Sequence, residues 1–327
     1  MPFLTRDYHL HFTGGEPLLH FARLQKIVAL AEAESRLLHK KAHYSLTTNG
    51  SLVSDTVLRF LSRYRFTVTL SFDGTAQDIQ RQRDSGRLVL SRLEALRDEA
   101  RIRLRVNSVF TPKTIPCLSE SVRLLLDLNV PDIDFNLSVL RPWNRVSLSK
   151  LEGQMNRVVD HLFGHFLRTG QVPLETFREP GPKMIFSCAA GQDRLAFTPD
   201  GRIWGCHLFS DYFRGKERAA ASRRYGLGIL SELPGDPQAA LARLAPRFER
   251  LAVDRLATSR GECFLCPKVE QCTVCPVNAA FSGSPLGRIP LYVCRIRRIM
   301  MKAEDRFRRR VRRATRGCPR PRGNSRD

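Results

Sequence analysis

Residues 8–19 read YHLHFTGGEPLL. Tyr8 to Thr13 alternates apolar and polar side chains, the period of a β-strand with one buried face. Gly14-Gly15 ends it, and Pro17 suits the first position of a helix, where its missing N–H is no loss. From Leu18 to Leu38 the apolar residues Phe21, Leu24, Ile27, Val28 and Ala31 recur at helical spacing. This strand–turn–helix unit then repeats. His43 to Thr48 is a second strand, closed by Asn49-Gly50. Ser54 or Asp55 can cap a helix running to about Tyr64. Phe66 to Phe72 is a third strand, closed by Asp73-Gly74. Helices over Leu88–Ala100 and Thr114–Leu128 flank a strand over Arg101–Phe110, and Ile133–Leu137 is a fifth strand. Strands that alternate with helices imply an α/β fold with a parallel sheet. In such folds ligands bind at the carboxyl ends of the strands, so GGEP, TTNG and SFDG should share one rim.

After residue 140 the pattern changes. Lys150 to Leu167 can form one more helix, and a Pro- and Gly-rich stretch follows. RLAFTPDGRIWGC, Arg194 to Cys206, reads as a hairpin turning at Pro-Asp-Gly. Ser231 to Asp254 has a helical pattern, and Pro290 to Arg313 reads as a last, very basic helix. The expected organisation is a sheet domain over 1–140, a helical connection over 141–187, a cysteine-rich domain over 188–300 and a basic tail over 301–327.

The chain has 327 residues, 42% hydrophobic and 26% charged, as a soluble globular protein does. No apolar run approaches the roughly 18–20 residues that span a bilayer, and the first residues carry no secretory signal. The expectation is a cytoplasmic protein with no membrane partner, in which clustered cysteines favour metal over disulfides. The formal charge is +22, carried by 45 Arg against 9 Lys. Ten Arg and two Asp lie between Asp305 and Asp327. This is either a patch for an acidic partner or a solvated, partly disordered tail. No helix-turn-helix, RRM or zinc-finger pattern accompanies it, which argues against nucleic acid.

Seven of the nine cysteines fall between residues 188 and 294. Cys263, Cys266, Cys272 and Cys275 form C-x2-C-x5-C-x2-C. Cys188 and Cys206 lie upstream, with Gly201 between them, and Cys294 lies downstream. Four thiolates hold an iron–sulfur cluster or a structural zinc. A zinc knuckle accounts for the 263–275 run taken alone. Seven thiolates exceed one zinc site and fall one short of two, which favours clusters for the whole set. Cys117 reads as a helix-start or core cysteine and Cys318 as a tail residue.

These motifs resemble the radical S-adenosylmethionine (SAM) superfamily, and among it the members with a C-terminal SPASM domain. Cys188-x12-Gly201-x4-Cys206, the 263–275 run and Cys294 match the SPASM pattern, except that x2 stands before Cys275 where the family has x3. The resemblance implies a partial (β/α)6 TIM-like barrel followed by a small cysteine-rich SPASM domain. It implies two auxiliary [4Fe-4S] clusters, one on Cys263, Cys266, Cys272 and Cys294, the other on Cys188, Cys206 and Cys275 with a fourth ligand unassigned. His207 is the best non-cysteine candidate for that ligand. For SAM it implies contacts from Gly14, Gly15, Glu16 and Pro17 after one strand, and from Thr48 and Asn49 after the next. Ser71 and Asp73 would follow, with Arg83 pairing the SAM carboxylate and Asn107 as a further contact. His9, His11, His20 and His207 read as scattered and structural.

The family's C-x3-C-x2-C signature, which holds the SAM-cleaving cluster, is not found: no cysteine precedes Cys117. The expectation is therefore a barrel lacking its first strand and cluster loop, with a bare edge at Tyr8–Phe12 and weakened SAM binding. Whether these residues alone are an enzyme is left open. The full-length form is expected to be a peptide or protein maturase that uses a 5′-deoxyadenosyl radical and takes electrons from a flavodoxin or ferredoxin. The alternatives are a non-catalytic electron-transfer or peptide-binding module, and a zinc-stabilised scaffold that binds nucleic acid.

Overall fold

The computed structural model describes residues 7–178, 194–233 and 288–316 continuously. Between these it describes only 190, 191, 235, 236, 239, 243, 246, 266–268, 272, 275, 277, 280, 281 and 283. The 263 and 188 positions and most of the helix expected over 231–254 lie outside the described residues.

Strands β1 (Tyr8–Phe12), β2 (Ala42–Thr48), β3 (Thr67–Ser71), β4 (Arg103–Phe110) and β5 (Ile133–Leu137) form one sheet, each parallel to the next and in chain order. Helices α1 (Phe21–Leu37), α2 (Asp55–Arg63), α3 (Gly86–Asp98) and α4 (Leu118–Asp127) make the crossovers. Right-handed crossovers between strands that never reverse order place every helix on the same face. The strands record this. In β4, Leu104, Val106, Ser108 and Phe110 are buried while Arg103, Arg105, Asn107 and Val109 are only partly so or exposed. The helix-facing side of the sheet carries Tyr44, Leu46, Val68, Leu70, Ile133 and Phe135 into a single core. The other side is polar nearly throughout.

Local signals set the helix ends. Ser54 caps α2, accepting from the Val57 N–H at 3.4 Å. The long helix α5 (Arg145–Thr169) is capped by Asn144, which accepts from Ser147 N–H at 2.8 Å, and it ends on Gly170 in the left-handed region (φ 70°). That position suits glycine, which has no Cβ to clash.

The core does not stop at residue 140. It takes in Trp143, Leu151, Met155, Val158, Leu162, Leu174 and Phe177 from the expected connection. It also takes Val293, Ile296, Met300, Ala303 and Phe307 from α6 (Leu291–Thr315). The basic segment is thus helical through Thr315 and packed, not a free tail from residue 301. Phe307 meets Phe177 edge-on at 5.6 Å and Phe166 at 6.5 Å. The Tyr292 hydroxyl donates to the Val139 carbonyl at 2.8 Å. Residues 305–316 are highly charged, and composition alone hides the apolar row that docks this helix.

A second, smaller core forms around an antiparallel sheet of β6 (Ala196–Phe197), β7 (Arg202–Trp204) and β8 (Gly226–Ile229). Ile203, Trp204, Phe209, Phe213, Leu227 and Val277 fill it. The β6–β7 hairpin turns at Pro199-Asp200-Gly201 as expected, with Gly201 at φ 79°.

At the outer flank of β5, Ile133 donates its N–H to the Pro173 carbonyl at 3.0 Å. Among the described residues β1 pairs only with β2, and the sheet does not close between β1 and β5.

Candidate functional site

The three loops expected at one rim do meet there. The hinge is Glu16. Its Oε1 accepts from the Thr48 hydroxyl at 2.8 Å and from Leu18 N–H at 3.2 Å, and its Oε2 accepts from Asn49 N–H at 2.8 Å. One carboxylate therefore ties the loop after β1 to the loop after β2. A carboxylate has about four lone-pair positions, so among the described residues one acceptor remains on Oε2. Thr48 is buried, and its oxygen also accepts from Gly50 N–H at 3.1 Å. Pro17 opens a short 3-10 turn that leads into α1.

The rim glycines divide into two kinds. A Cβ on Gly50 would lie 2.8 Å from Leu70 Cδ1, and one on Gly74 would lie 2.6 Å from Ser121 Cβ. Both also have positive φ, at 82° and 61°. Packing and backbone inside the protein explain these two. Gly14 and Gly15 are different in packing, although Gly14 also has a positive φ, at 136°. A Cβ on either would meet nothing within 4 Å, and both are exposed. No contact within the described protein asks for a glycine at Gly15. Open space over two bare backbone units, beside a carboxylate with one free acceptor, fits a ligand that lies close against the chain and carries an ammonium. SAM has that shape and charge.

Ser71, at the carboxyl end of β3, lies beside Asn107 in register, and Asn107 beside Asp134. The Ser71 hydroxyl makes no hydrogen bond among the described residues, so it is available to a ligand. Asn107 accepts from the Asn136 amide at 2.9 Å. The rim continues past β4 and β5, where Pro112, Pro142, Asn144 and Lys150 line a cleft of about 190 Å³.

Two expected SAM contacts are not at the rim. The Asp73 side chain is fully buried, bound by Arg81 through Nε at 2.7 Å and Nη2 at 3.1 Å, and by Val109 N–H at 2.8 Å. Its oxygens are spent on holding the loop to β4. Arg83 stands 91% exposed, with only Asp84 at 4.0 Å. The one-turn helix Gln77–Gln80 ends at Arg81, which turns in to Asp73. Two residues further on, Arg83 is out in solvent.

The histidines are not scattered. Parallel pairing sets His9 beside His43, and His11 beside Ser45. The Ser45 hydroxyl lies 2.7 Å from His9 Nε2 and 2.6 Å from His11 Nδ1. Its single proton can serve only one of them. Loss of solvent around its ring, with His9 and His207 nearby, lowers His11 to about 4. Burial, and then His43, also lower His9. His207, from the smaller unit, lies close enough to be felt at His11. His20 stands apart at the end of the 3-10 turn. Sequence reasoning also missed Asp134 on the same polar face. Burial first, and Glu175 second, raise it to about 6. The period-two polar positions of β2, β4 and β5 were the signal that could have found this face.

Of the seven candidate metal ligands, Cys206 and Cys275 both pack against the smaller core. Cys266, Cys272 and Cys294 are described and partly exposed, Cys294 in the first turn of α6. Cys188 and Cys263 lie outside the described residues. Thiols of this kind suit soft metals and iron–sulfur clusters. Among the described residues no three of His, Cys, Asp and Glu converge to hold a metal ion. Cys117 packs against the main core at the start of α4.

Residues 5–125, which hold the sheet's first four strands and its glycine rim, match the family model of the Radical SAM superfamily. Over 225 residues the chain is 24% identical to the radical SAM cyclopropyl synthase TigE of Paramaledivibacter caminithermalis, covering 64% of this chain and 46% of that protein. An uncharacterized protein of Methanocaldococcus jannaschii is 28% identical over 49% of this chain and 56% of its own length. The chain thus spans about half the length of the curated relatives it matches. Among solved structures, anSMEcpe with bound AdoMet has a TM-score of 0.71 at 17% identity, covering 94% of this chain and 82% of that one. Streptococcus suis SuiB bound to its precursor peptide SuiA has a TM-score of 0.54 at 14% identity, over 85% and 63%. At these identities the likeness is one of fold. Among the described residues no helix is long and apolar enough to cross a membrane.

Proposed function

We propose that this chain binds SAM at the Gly14–Gly15–Glu16 rim and belongs to a peptide or protein maturase with a SPASM-type cysteine domain. The observation that carries the reading is the open space over Gly14 and Gly15 beside the Glu16–Thr48–Asn49 clamp. Gly14 and Gly15 let the SAM methionine lie against the backbone. Glu16, held by Thr48 and Asn49, offers its free acceptor to the ammonium. Ser71 and Asn107 face the ribose or carboxylate. Asp73 and Arg81 hold the third loop in place and touch no ligand.

SAM, if bound and given one electron by the donor named below, would break its sulfur–C5′ bond, release methionine and supply a 5′-deoxyadenosyl radical for hydrogen abstraction from a substrate. Cys263, Cys266, Cys272 and Cys294 would hold one auxiliary [4Fe-4S] cluster, and Cys188, Cys206 and Cys275 a second. A flavodoxin- or ferredoxin-type donor in the cytoplasm would supply electrons. Two solved structures of similar fold, anSMEcpe with the Cp18Cys peptide and SuiB with SuiA, hold bound peptides, which supports a peptide partner.

A second reading rests on the sequence itself: no cysteine precedes Cys117. These 327 residues would then bind SAM without cleaving it. Equilibrium dialysis with labelled SAM tests the first reading. Binding to the reconstituted wild type, lost by at least about tenfold in Gly15→Val, is the expected result. A wild type that binds no SAM overturns it. Near eight irons per chain is expected, and a colourless protein holding only zinc overturns the cluster assignment. Formation of 5′-deoxyadenosine by these residues alone would overturn the second reading.

A further inference from the structure

Trp204 ends β7 and is only 2% exposed, in the smaller core with Ile203, Phe209, Phe213, Leu227 and Val277. Phe213 stacks on its ring at 5.6 Å and an angle of 12°. A Cβ on Gly226 of β8 would lie 3.7 Å from Trp204 Cζ3 and 3.9 Å from its Cη2. These neighbours are carbon, and β8 stands at the benzo end of the indole. The N–H lies at the other end. It is buried and meets no hydrogen-bond partner among the described residues. A buried donor without an acceptor is costly, and native structures leave few of them. The chain's other tryptophan shows the usual arrangement, since Trp143 Nε1 donates to the Ser138 carbonyl at 2.8 Å.

The same core gathers candidate cluster ligands. Cys206 follows Trp204 by two residues, and Cys206 and Cys275 both pack against this core. Ala190 is part of it, and Gly191 donates its N–H to the Gly205 carbonyl at 3.0 Å. Two of the three cysteines assigned to the second cluster, and the chain just after the third, therefore meet where the unpaired N–H lies. Cluster and thiolate sulfurs accept hydrogen bonds, and those bonds help to set a cluster's reduction potential.

We infer that the Trp204 indole N–H donates a hydrogen bond to a sulfur of the cluster on Cys188, Cys206 and Cys275, and so raises its reduction potential. The inference rests on the proposed assignment of that cluster. Reduction adds one electron and one negative charge to the cluster, with no bond made or broken. The added charge makes sulfur a better acceptor, so a fixed donor favours the reduced form. A raised potential suits a cluster that takes up an electron. Water fits the N–H less well: a buried water needs two to four polar partners, and the side chains that fill this core are apolar.

The test uses the full chain, anaerobically reconstituted with iron and sulfide and labelled with 15N in its tryptophan indoles. Iron content is read first. Pulsed electron paramagnetic resonance of the reduced protein should show an indole nitrogen coupled to a cluster. The coupling should persist in Trp143→Phe and vanish in Trp204→Phe. In a potentiometric titration, Trp204→Phe should make reduction of one cluster about tenfold less favourable, a fall of about 59 mV for one electron. The other cluster should not move, and iron content and circular dichroism should match the wild type. Absence of indole coupling in the iron-loaded wild type overturns the inference, and that result needs no variant to fold. An unchanged potential in folded Trp204→Phe, or equal falls in both clusters, overturns it as well. A wild type that binds no iron fails at the first step and takes the cluster assignment down with the inference.

Discussion

The rim after β1 and the rim after β3 are both a strand, a small-residue turn and a short helical turn. They are built on opposite principles. After β3, Gly74 is pressed against Ser121, Asp73 is wholly buried, and Arg81 neutralises it. Every feature of that loop is explained by the protein. After β1, Gly14 and Gly15 face open space and Glu16 keeps an unused acceptor. A glycine that packing demands is structural. Gly15, which neither packing nor a positive φ within the described protein demands, points outward, to a ligand.

Substitutions can break this contrast, and the largest effect is expected on the packed side. Gly74→Val places carbon where Ser121 sits and forces a β-branched residue to positive φ, a cost of about 3 kcal/mol or more. A denaturant midpoint close to the wild type's would refute the packing account. The Asp73 partner comes next. Arg81→Leu leaves a buried carboxylate unpaired and should cost about 3 kcal/mol, whereas Arg83→Leu should stay within about 0.5 kcal/mol. Equal effects in urea melts would mean that the loop is not held as described. On the open side, Gly15→Val should change stability by less than about 1 kcal/mol while removing SAM binding. If both fall together, the open rim is not a separate site.

The smallest expected effect concerns Asp134 on the polar face. Its native value is raised from 3.8 to about 6, so its ionisation disfavours the folded state. The stability it allows is complete below pH 4 and lost as pH rises through about 6. Asp134→Asn should therefore gain about 1 kcal/mol at pH 7, a figure reduced for the partial exposure of the group, and gain nothing at pH 3.5. Parallel stability–pH curves for the two proteins would contradict the burial assigned to it.

Much of this was legible in the chain. The first three strands appear where a period-two or apolar run ends in Gly, Asn or Asp, and β4 and β5 fall within the runs read for them. Ser54 caps its helix, and the Pro-Asp-Gly hairpin turns as read. These are local signals, written in neighbours a few residues apart. Arg83 was misplaced because the pattern could not say where the one-turn helix Gln77–Gln80 would stop. Arg81 and Arg83 lie two residues apart, yet one is drawn to Asp73 and the other stands in solvent. The histidines looked unrelated for another reason. His9 and His43 are 34 positions apart, and only the parallel register sets them side by side.

The sequence by itself determined the alternation of strands and helices, the loops at their carboxyl ends and the cysteine spacing, because backbone preference and hydrophobic period act over short range. The tertiary structure decided which glycines are packed and which are open, which arginine holds Asp73, and that the basic helix belongs to the main core. Each of those depends on what lies across a strand pair or a helix contact, and only folding brings those partners within reach.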